Sequence, residues 1–241
     1  MIKRSEIKKI VNEYSGVKIG VLGSHSALEV MDGAKDEDLE TVVICQKGRE
    51  TPYKRFNRIA DEIVILKKFK DMTSAKMQQK LREENTIIVP HRSLTAYLGY
   101  KSIENNFRVP IFGNRALFQA EERGNRKNQY YLLEKARIKH PRLIKNPKNI
   151  NKPSIVKVQE KNRKLERAFF TVTSYADYKK KSSEKIKQEV ISKKDLESSS
   201  IEELAIGTYL NFNYFHTPIS ENVDFIGMDQ WMDSLLYDHY P

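Results

Sequence analysis

The sequence predicts an α/β domain with a largely parallel sheet in its first half and an α+β unit in its second. Three observations carry that expectation. Short apolar runs at residues 17–22, 41–45, 62–66, 86–90 and 109–112 are separated by helix-like stretches such as 73–84, the alternation that crossover connections between parallel strands produce. From about residue 124 the texture changes, and a helical segment at 128–136 leads into a connection punctuated by Pro141, Pro147 and Pro153. Beyond it, runs at 154–158 and 168–173, a long polar helix at 174–192, and runs at 201–206, 208–215 and 223–228 read as strands, a helix and hairpin-like strands. The boundary is expected near residue 123, giving domains 1–123 and 124–241.

Composition supports a globular chain. With 241 residues, 39% hydrophobic and 10% aromatic, there is apolar area for a substantial core despite a charged fraction of 31%. The opening stretch mixes Lys, Arg and Glu with isolated apolar residues, which is not a signal peptide, and no later run could span a bilayer. A cytoplasmic protein without a membrane partner is therefore expected. Cys45, the single cysteine, sits inside the apolar run 41–45 and reads as a small buried hydrophobe rather than a nucleophile. The net charge of +11 favours polyanionic partners, nucleotides as well as nucleic acids. The densest basic cluster, residues 178–187, is followed by acids as on a solvated helix face, which weakens the nucleic-acid reading.

The chemistry should follow the strands, because open α/β sheets hold ligands at the carboxyl ends of their strands. The first run ends in Gly23-Ser24-His25-Ser26 and passes into a helix-like stretch at 27–35. Ser24 reads as its N-cap, and His25 either points into a cleft or closes a turn. The fourth run repeats the arrangement with Pro90-His91-Arg92-Ser93 before a helix at 94–98. A third end, Phe112-Gly113-Asn114-Arg115, offers a planar fork for phosphate or carboxylate, or else a surface arginine on a first turn. In the second half Lys157 lies on an otherwise apolar strand, where its head must reach an anion or snorkel to solvent. Glu202 and Glu203 end a later strand, able to accept from a ribose hydroxyl or an adenine amino group, or to serve as plain edge acids.

Taken in order, these pieces resemble a known family. The matches are Gly23-Ser24-His25-Ser26 with Gly33-Ala34-Lys35, Lys47-Gly48-Arg49 with Pro52-Tyr53-Lys54-Arg55-Phe56, Val89-Pro90-His91 with Ser93, Phe112-Gly113-Asn114-Arg115, Ile155-Val156-Lys157, and Ile201-Glu202-Glu203 through Gly207-Thr208 to Gly227-Met228-Asp229. The sequence resembles the archaeal-type formate-dependent FAICAR synthetases of the ATP-grasp superfamily over nearly its whole length. The resemblance implies a pre-ATP-grasp α/β domain followed by an α+β ATP-grasp domain. It also implies formate, ATP and the ribotide AICAR as substrates, and magnesium as the metal. Ser24, His25, Ser93 and Arg115 are then expected at the ribotide, Lys157 and Arg163 at the ATP phosphates, and Glu202 or Glu203 against adenosine.

Departures from the family pattern shape the expectation. The better-known members carry a glycine-rich loop after the Lys157 strand, whereas residues 159–168 contain no glycine and offer Lys161, Arg163, Lys164 and Arg167 instead. Arg92 stands where a glycine is usual, which narrows or recharges the ribotide pocket. The family's metal-binding carboxylates would lie beyond Pro241, so the chain is expected to have an incomplete ATP-grasp domain without metal ligands of its own and to bind AICAR better than it catalyses. The leading function is an ADP-forming ligation in which ATP activates formate and the amine of AICAR attacks it to give FAICAR. A non-catalytic nucleotide-binding relative of the ligase is the second reading, and a basic nucleic-acid binder the third. The sequence leaves a homo-oligomer open.

Overall fold

The structure is a computed structural model that describes residues 1–121, 125–158, 169–208, 210–217 and 222–230. The chain divides into two compact units, Met1–Gln119 and Ala120–Pro241. The boundary expected at 123 falls among residues outside the described ones.

In the first unit the elements run α1 (Arg4–Asn12), β1 (Lys18–Leu22), α2 (Ala27–Asp36), β2 (Glu40–Gln46), α3 (Thr51–Arg55), β3 (Glu62–Leu66), α4 (Ala75–Glu83), β4 (Thr86–Ile88), α5 (Arg92–Leu98) and α6 (Tyr100–Asn105). The four strands form one parallel sheet in the order β3-β2-β1-β4. Parallel strands are covered on both faces, which is why these runs are apolar at nearly every position. Leu22 and Ile44 face a layer built with Phe69, Leu81, Ile88, Leu94 and Phe107. Val21, Val43 and Cys45 face the other layer with Ala27, Met31 and Tyr53. Burial of each such side chain stabilises by about 1.5–3 kcal/mol. Cys45 is fully buried, as its apolar surroundings predict, and burial pushes its thiol up to about 12.

The fifth expected strand is a correction. Residues 109–112 contribute a single parallel bridge, Ile88 to Ile111, framed by Ile88 N–H donating to the Pro110 carbonyl and Phe112 N–H donating to the Ile88 carbonyl. Pro110 has no N–H with which to extend a ladder, and Gly113, at φ +86°, turns the chain away. The helix expected after it is a 3-10 segment, Arg115–Glu121.

The second unit contains α7 (Gln129–Lys135), β5 (Ser154–Lys157), β6 (Phe170–Val172), α8 (Tyr175–Lys187), α9 (Lys193–Glu197), β7 (Ser200–Glu203), β8 (Leu210–His216) and β9 (Val223–Gln230). An antiparallel sheet in the order β6-β5-β7 packs Val156, Phe170, Val172 and Ile201 against Tyr178 and Ile186 of α8. The helix expected over 174–192 ends early, at Lys187, because Glu189 adopts a left-handed φ of +56°, and a further short helix that was not expected, α9, follows with Ser192 as its cap. The run 201–206 leaves the sheet after Glu203. Strands β8 and β9 form a separate antiparallel ribbon. Residues 159–168, with Arg163, and the closing segment 231–241 lie outside the described residues. Among the described residues no helix is long and apolar enough to cross a membrane.

Candidate functional site

The strand order fixes where a ligand can enter the first unit. From β1 the chain proceeds to β2 on one side, and β4 lies on the other, so the connections diverge at the carboxyl ends of β1 and β4. Such a divergence leaves a crevice between the loops. The segments that follow these two strands carry Ser24-His25-Ser26 and His91-Arg92-Ser93. The structure brings them together: Ser93 Oγ donates to Ser24 Oγ at 3.2 Å, and the rings of His25 and His91 stack with centroids 6.2 Å apart.

The local chain explains the placement. Gly23 has no side chain because a Cβ there would meet Cys45 Sγ at 2.7 Å and Tyr53 at 3.1 Å. The next residues turn sharply, with Ser24 N–H donating to the Leu22 carbonyl at 2.7 Å and Ala27 N–H to the Ser24 carbonyl at 3.2 Å. His25 holds a left-handed φ of +44°, which leaves its ring exposed, and its Nδ1 lies 2.6 Å from Ser26 Oγ. The N-cap of α2 is Ser26, which corrects the expectation for Ser24, whose hydroxyl turns toward Ser93 instead. On the other side His91 is the N-cap of α5, its Nδ1 accepting from Ser93 N–H at 3.3 Å.

Arg115 serves a different end. Its guanidinium donates to the carbonyls of Ile103 at 2.5 Å, Phe107 at 2.6 Å and Val109 at 3.0 Å. These are the last turn of α6 and the segment beyond it, so the fork expected to grip phosphate grips the backbone. A different cation lies beside α5. Arg49, after β2, lies over the rings of Phe69 at 5.6 Å and Tyr97 at 5.8 Å, and its Nη1 donates to Tyr97 Oη at 3.0 Å. Tyr97 is four residues from Ser93 on α5, hence one turn away on the same face. The motif Lys47-Gly48-Arg49 was visible in the sequence, but its neighbour on α5 was not.

In the second unit the sheet face turned away from α8 carries charge. Ile155 pairs with Glu202 and Lys157 with Ser200, so Lys157 and Glu202 are diagonal neighbours. They form an ion pair in which the Glu202 side chain is 2% exposed and that of Lys157 23%. Tyr130 of α7 donates its hydroxyl to the other carboxylate oxygen of Glu202. Sequence reasoning missed Tyr130. The available signal was a tyrosine on a helix due to cover a sheet, since a buried tyrosine hydroxyl needs an acceptor. Glu203 alternates to the opposite face of the sheet, near Arg142 Nη2 at 3.4 Å and Lys152 Nζ at 3.5 Å. It also lines a cleft of about 430 Å³ with Lys139, His140, Lys152, Leu204 and Ile206, within the size range of small-molecule sites. Among the described residues no three His, Cys, Asp or Glu side chains converge to hold a metal ion.

Comparison with known proteins adds names to this geometry. The family model described as "Protein of unknown function (DUF1246)" matches residues 19–144, and "Domain of unknown function (DUF1297)" matches residues 177–240. The chain is 40% identical over 232 residues to the 5-formaminoimidazole-4-carboxamide-1-(beta)-D-ribofuranosyl 5'-monophosphate synthetase of Methanopyrus kandleri, covering 95% of this chain and 63% of that protein. To the protein of the same name from Methanocaldococcus jannaschii it is 36% identical, covering 97% of this chain and 64% of that one. The chain thus spans less than two thirds of the length of the curated relatives it matches. Among solved structures, the IMP biosynthesis protein PurP from Thermococcus kodakaraensis superposes with a TM-score of 0.60 at 22% identity, over 88% of this chain and 58% of that one. A biotin carboxylase from Campylobacter jejuni gives 0.58 at 12% identity, over 87% and 50%. What the chain shares with both neighbours is the fold, the mixed α/β arrangement expected from the sequence.

Proposed function

We propose, for a chain that belongs to the family described as "Protein of unknown function (DUF1246)" and is similar to FAICAR synthetases over nearly its whole length, that it binds the ribotide AICAR in its first unit and ATP in its second, in the ATP-dependent ligation of formate to AICAR. The observation that carries this reading is the meeting of Ser24, His25 and Ser93 at the divergence of β1 and β4. Two hydroxyls and an exposed imidazole suit a ligand with a carboxamide, an amine and a ribose. Arg115 belongs to the frame. Arg49, backed by two rings and one turn from Ser93, is the cation for the ribotide phosphate. In the second unit the cleft beside Glu203 takes adenosine, and Lys157 exchanges its hold on Glu202 for a phosphate oxygen when ATP enters. A cytoplasmic setting with magnesium as ATP's counter-ion belongs to the same reading.

Isothermal calorimetry with AICAR and with ATP separately, followed by phosphate release in the presence of formate, tests it. His25→Ala should weaken AICAR by about 1–3 kcal/mol, as expected when a ligand's polar group loses its partner, and leave ATP binding unchanged. Absence of AICAR binding at micromolar concentration and low salt would remove the basis of the reading.

A further inference from the structure

His91 has no role in the ribotide reading, yet it is the residue through which the two halves of that crevice are joined. Its ring is half-buried between the end of β1 and the start of α5, and both nitrogens are occupied. Nε2 lies 2.9 Å from the Leu22 carbonyl, and a carbonyl only accepts, so Nε2 carries the proton. Nδ1 is then the bare nitrogen, free to accept from Ser93 N–H at 3.3 Å. One neutral imidazole in one tautomer therefore ties the residue before Gly23-Ser24-His25 to the residue that carries the Ser93 hydroxyl. The Ser24 to Ser93 hydrogen bond and the His25 to His91 stacking both lie across that tie.

We propose that His91 is a positioning residue for the ribotide pocket, a strut between the carboxyl end of β1 and the amino end of α5 that sets the separation of Ser24 and Ser93 and the place of the His25 ring. The proposal rests on the ribotide reading for its ligand, while its geometry can be tested without one. Helix capping alone is the competing explanation, since an N-cap acceptor stabilises a helix wherever it occurs. The two bonds can be separated by substitution. Asn offers an oxygen where Nδ1 stands and keeps the cap, but it is too short to reach Leu22. Gln offers an N–H donor where Nε2 stands and keeps the tie, but it loses the cap.

The strut predicts that His91→Ala weakens AICAR binding about tenfold or more without changing ATP binding, that His91→Gln recovers most of that loss, and that His91→Asn recovers thermal stability but not affinity. Long-range ¹⁵N–¹H spectra of the unliganded protein at pH 7.5 should show the ring of His91 protonated at Nε2 alone. Amide hydrogen exchange should quicken over residues 23–26 in His91→Asn, where Gly23 and Ser24 donate to Ile44 and Leu22, and stay slow over the rest of α5. Wild-type affinity in His91→Asn would overturn the proposal in favour of a cap, and an Nδ1–H tautomer would overturn it outright, since Nε2 could then not donate to the Leu22 carbonyl. If the wild-type chain binds no AICAR, the ribotide reading falls, and the exchange of residues 23–26 alone decides whether the strut exists.

Discussion

The two units hold their polar groups in opposite ways. At the end of β1 and β4 the first unit gathers hydroxyls and imidazoles whose bonds run among themselves and to nearby backbone, and His25 remains exposed. On the outer face of its three-stranded sheet, the second unit instead buries a carboxylate and satisfies it with a lysine and a tyrosine. A crevice of hydroxyls and imidazoles accepts a ligand by adding bonds. A buried ion pair must give up a bond that already exists, and removing either partner leaves a charge in a place with little water. The first arrangement costs the fold little when altered, whereas the second is expensive to disturb.

The largest expected effect therefore lies in the second unit. Glu202→Ala removes a buried carboxylate that partners Lys157 and the Tyr130 hydroxyl, and should destabilise that unit by about 3–5 kcal/mol. Hydrogen exchange of β5 and β7 measures it without assuming that both units unfold together. The companion double replacement, Glu202→Leu with Lys157→Met, removes both charges and should restore much of the loss. If the double variant is as unstable as the single one, burial of charge is not what distinguishes the two units.

Arg115→Met comes next and tests whether the first unit also depends on a buried cation. The guanidinium holds three carbonyls that methionine cannot reach, so a loss of about 2–3 kcal/mol is expected, read in the exchange of β4 and α6. AICAR affinity measured well below the unfolding temperature should change little. A selective loss of affinity with stability intact would return Arg115 to the ligand.

Acidification sharpens the contrast further. Burial is the main influence on His91 and holds its pKa below the ordinary value near 6.5, the Leu22 bond and Glu29 opposing it and His25 reinforcing it. As the pH falls below about 6.5 the unfolded chain takes up the proton first, so the first unit should lose stability with a slope of at most about 1.4 kcal/mol per pH unit until the folded ring titrates at its lower value. The protonated ring could no longer accept from Ser93 N–H. Thermal melts of the wild type and His91→Gln between pH 7.5 and 5 isolate this contribution, which the variant should lack, from carboxylates that titrate lower.

How much of this was legible in the sequence follows from the same physics. The four parallel strands stood out because double-sided burial demands unbroken apolar runs, and the strand-end location of Ser24, His25 and Ser93 followed from strand direction. The run at 109–112 misled because apolarity does not reveal that Pro110 lacks a donor. The shift of the α2 cap from Ser24 to Ser26 depends on a single positive φ, and the capture of the Arg115 guanidinium depends on where α6 ends. His91 and Tyr130 were visible as letters, but their partners lie 69 and 72 residues away in the chain. No local pattern encodes those distances.

The smallest predicted effect runs against the usual direction and concerns the strain at His25. A left-handed φ of +44° costs a residue with a side chain up to about 1–2 kcal/mol, while glycine adopts it without steric penalty. His25→Gly should therefore stabilise the first unit, by less than about 1 kcal/mol once the greater freedom of glycine in the unfolded chain is counted. AICAR affinity should fall at the same time, since the imidazole is gone. Strain persists where something else is served by the conformation, and at this turn the thing served is an exposed ring aimed at the crevice. Thermal melts and calorimetry on one protein preparation read both quantities. If His25→Gly loses stability as well as affinity, the left-handed turn is held by the ring's bond to Ser26 and its stacking on His91, and the residue is structural. A gain in stability paired with a loss of binding marks His25 as kept for the ligand.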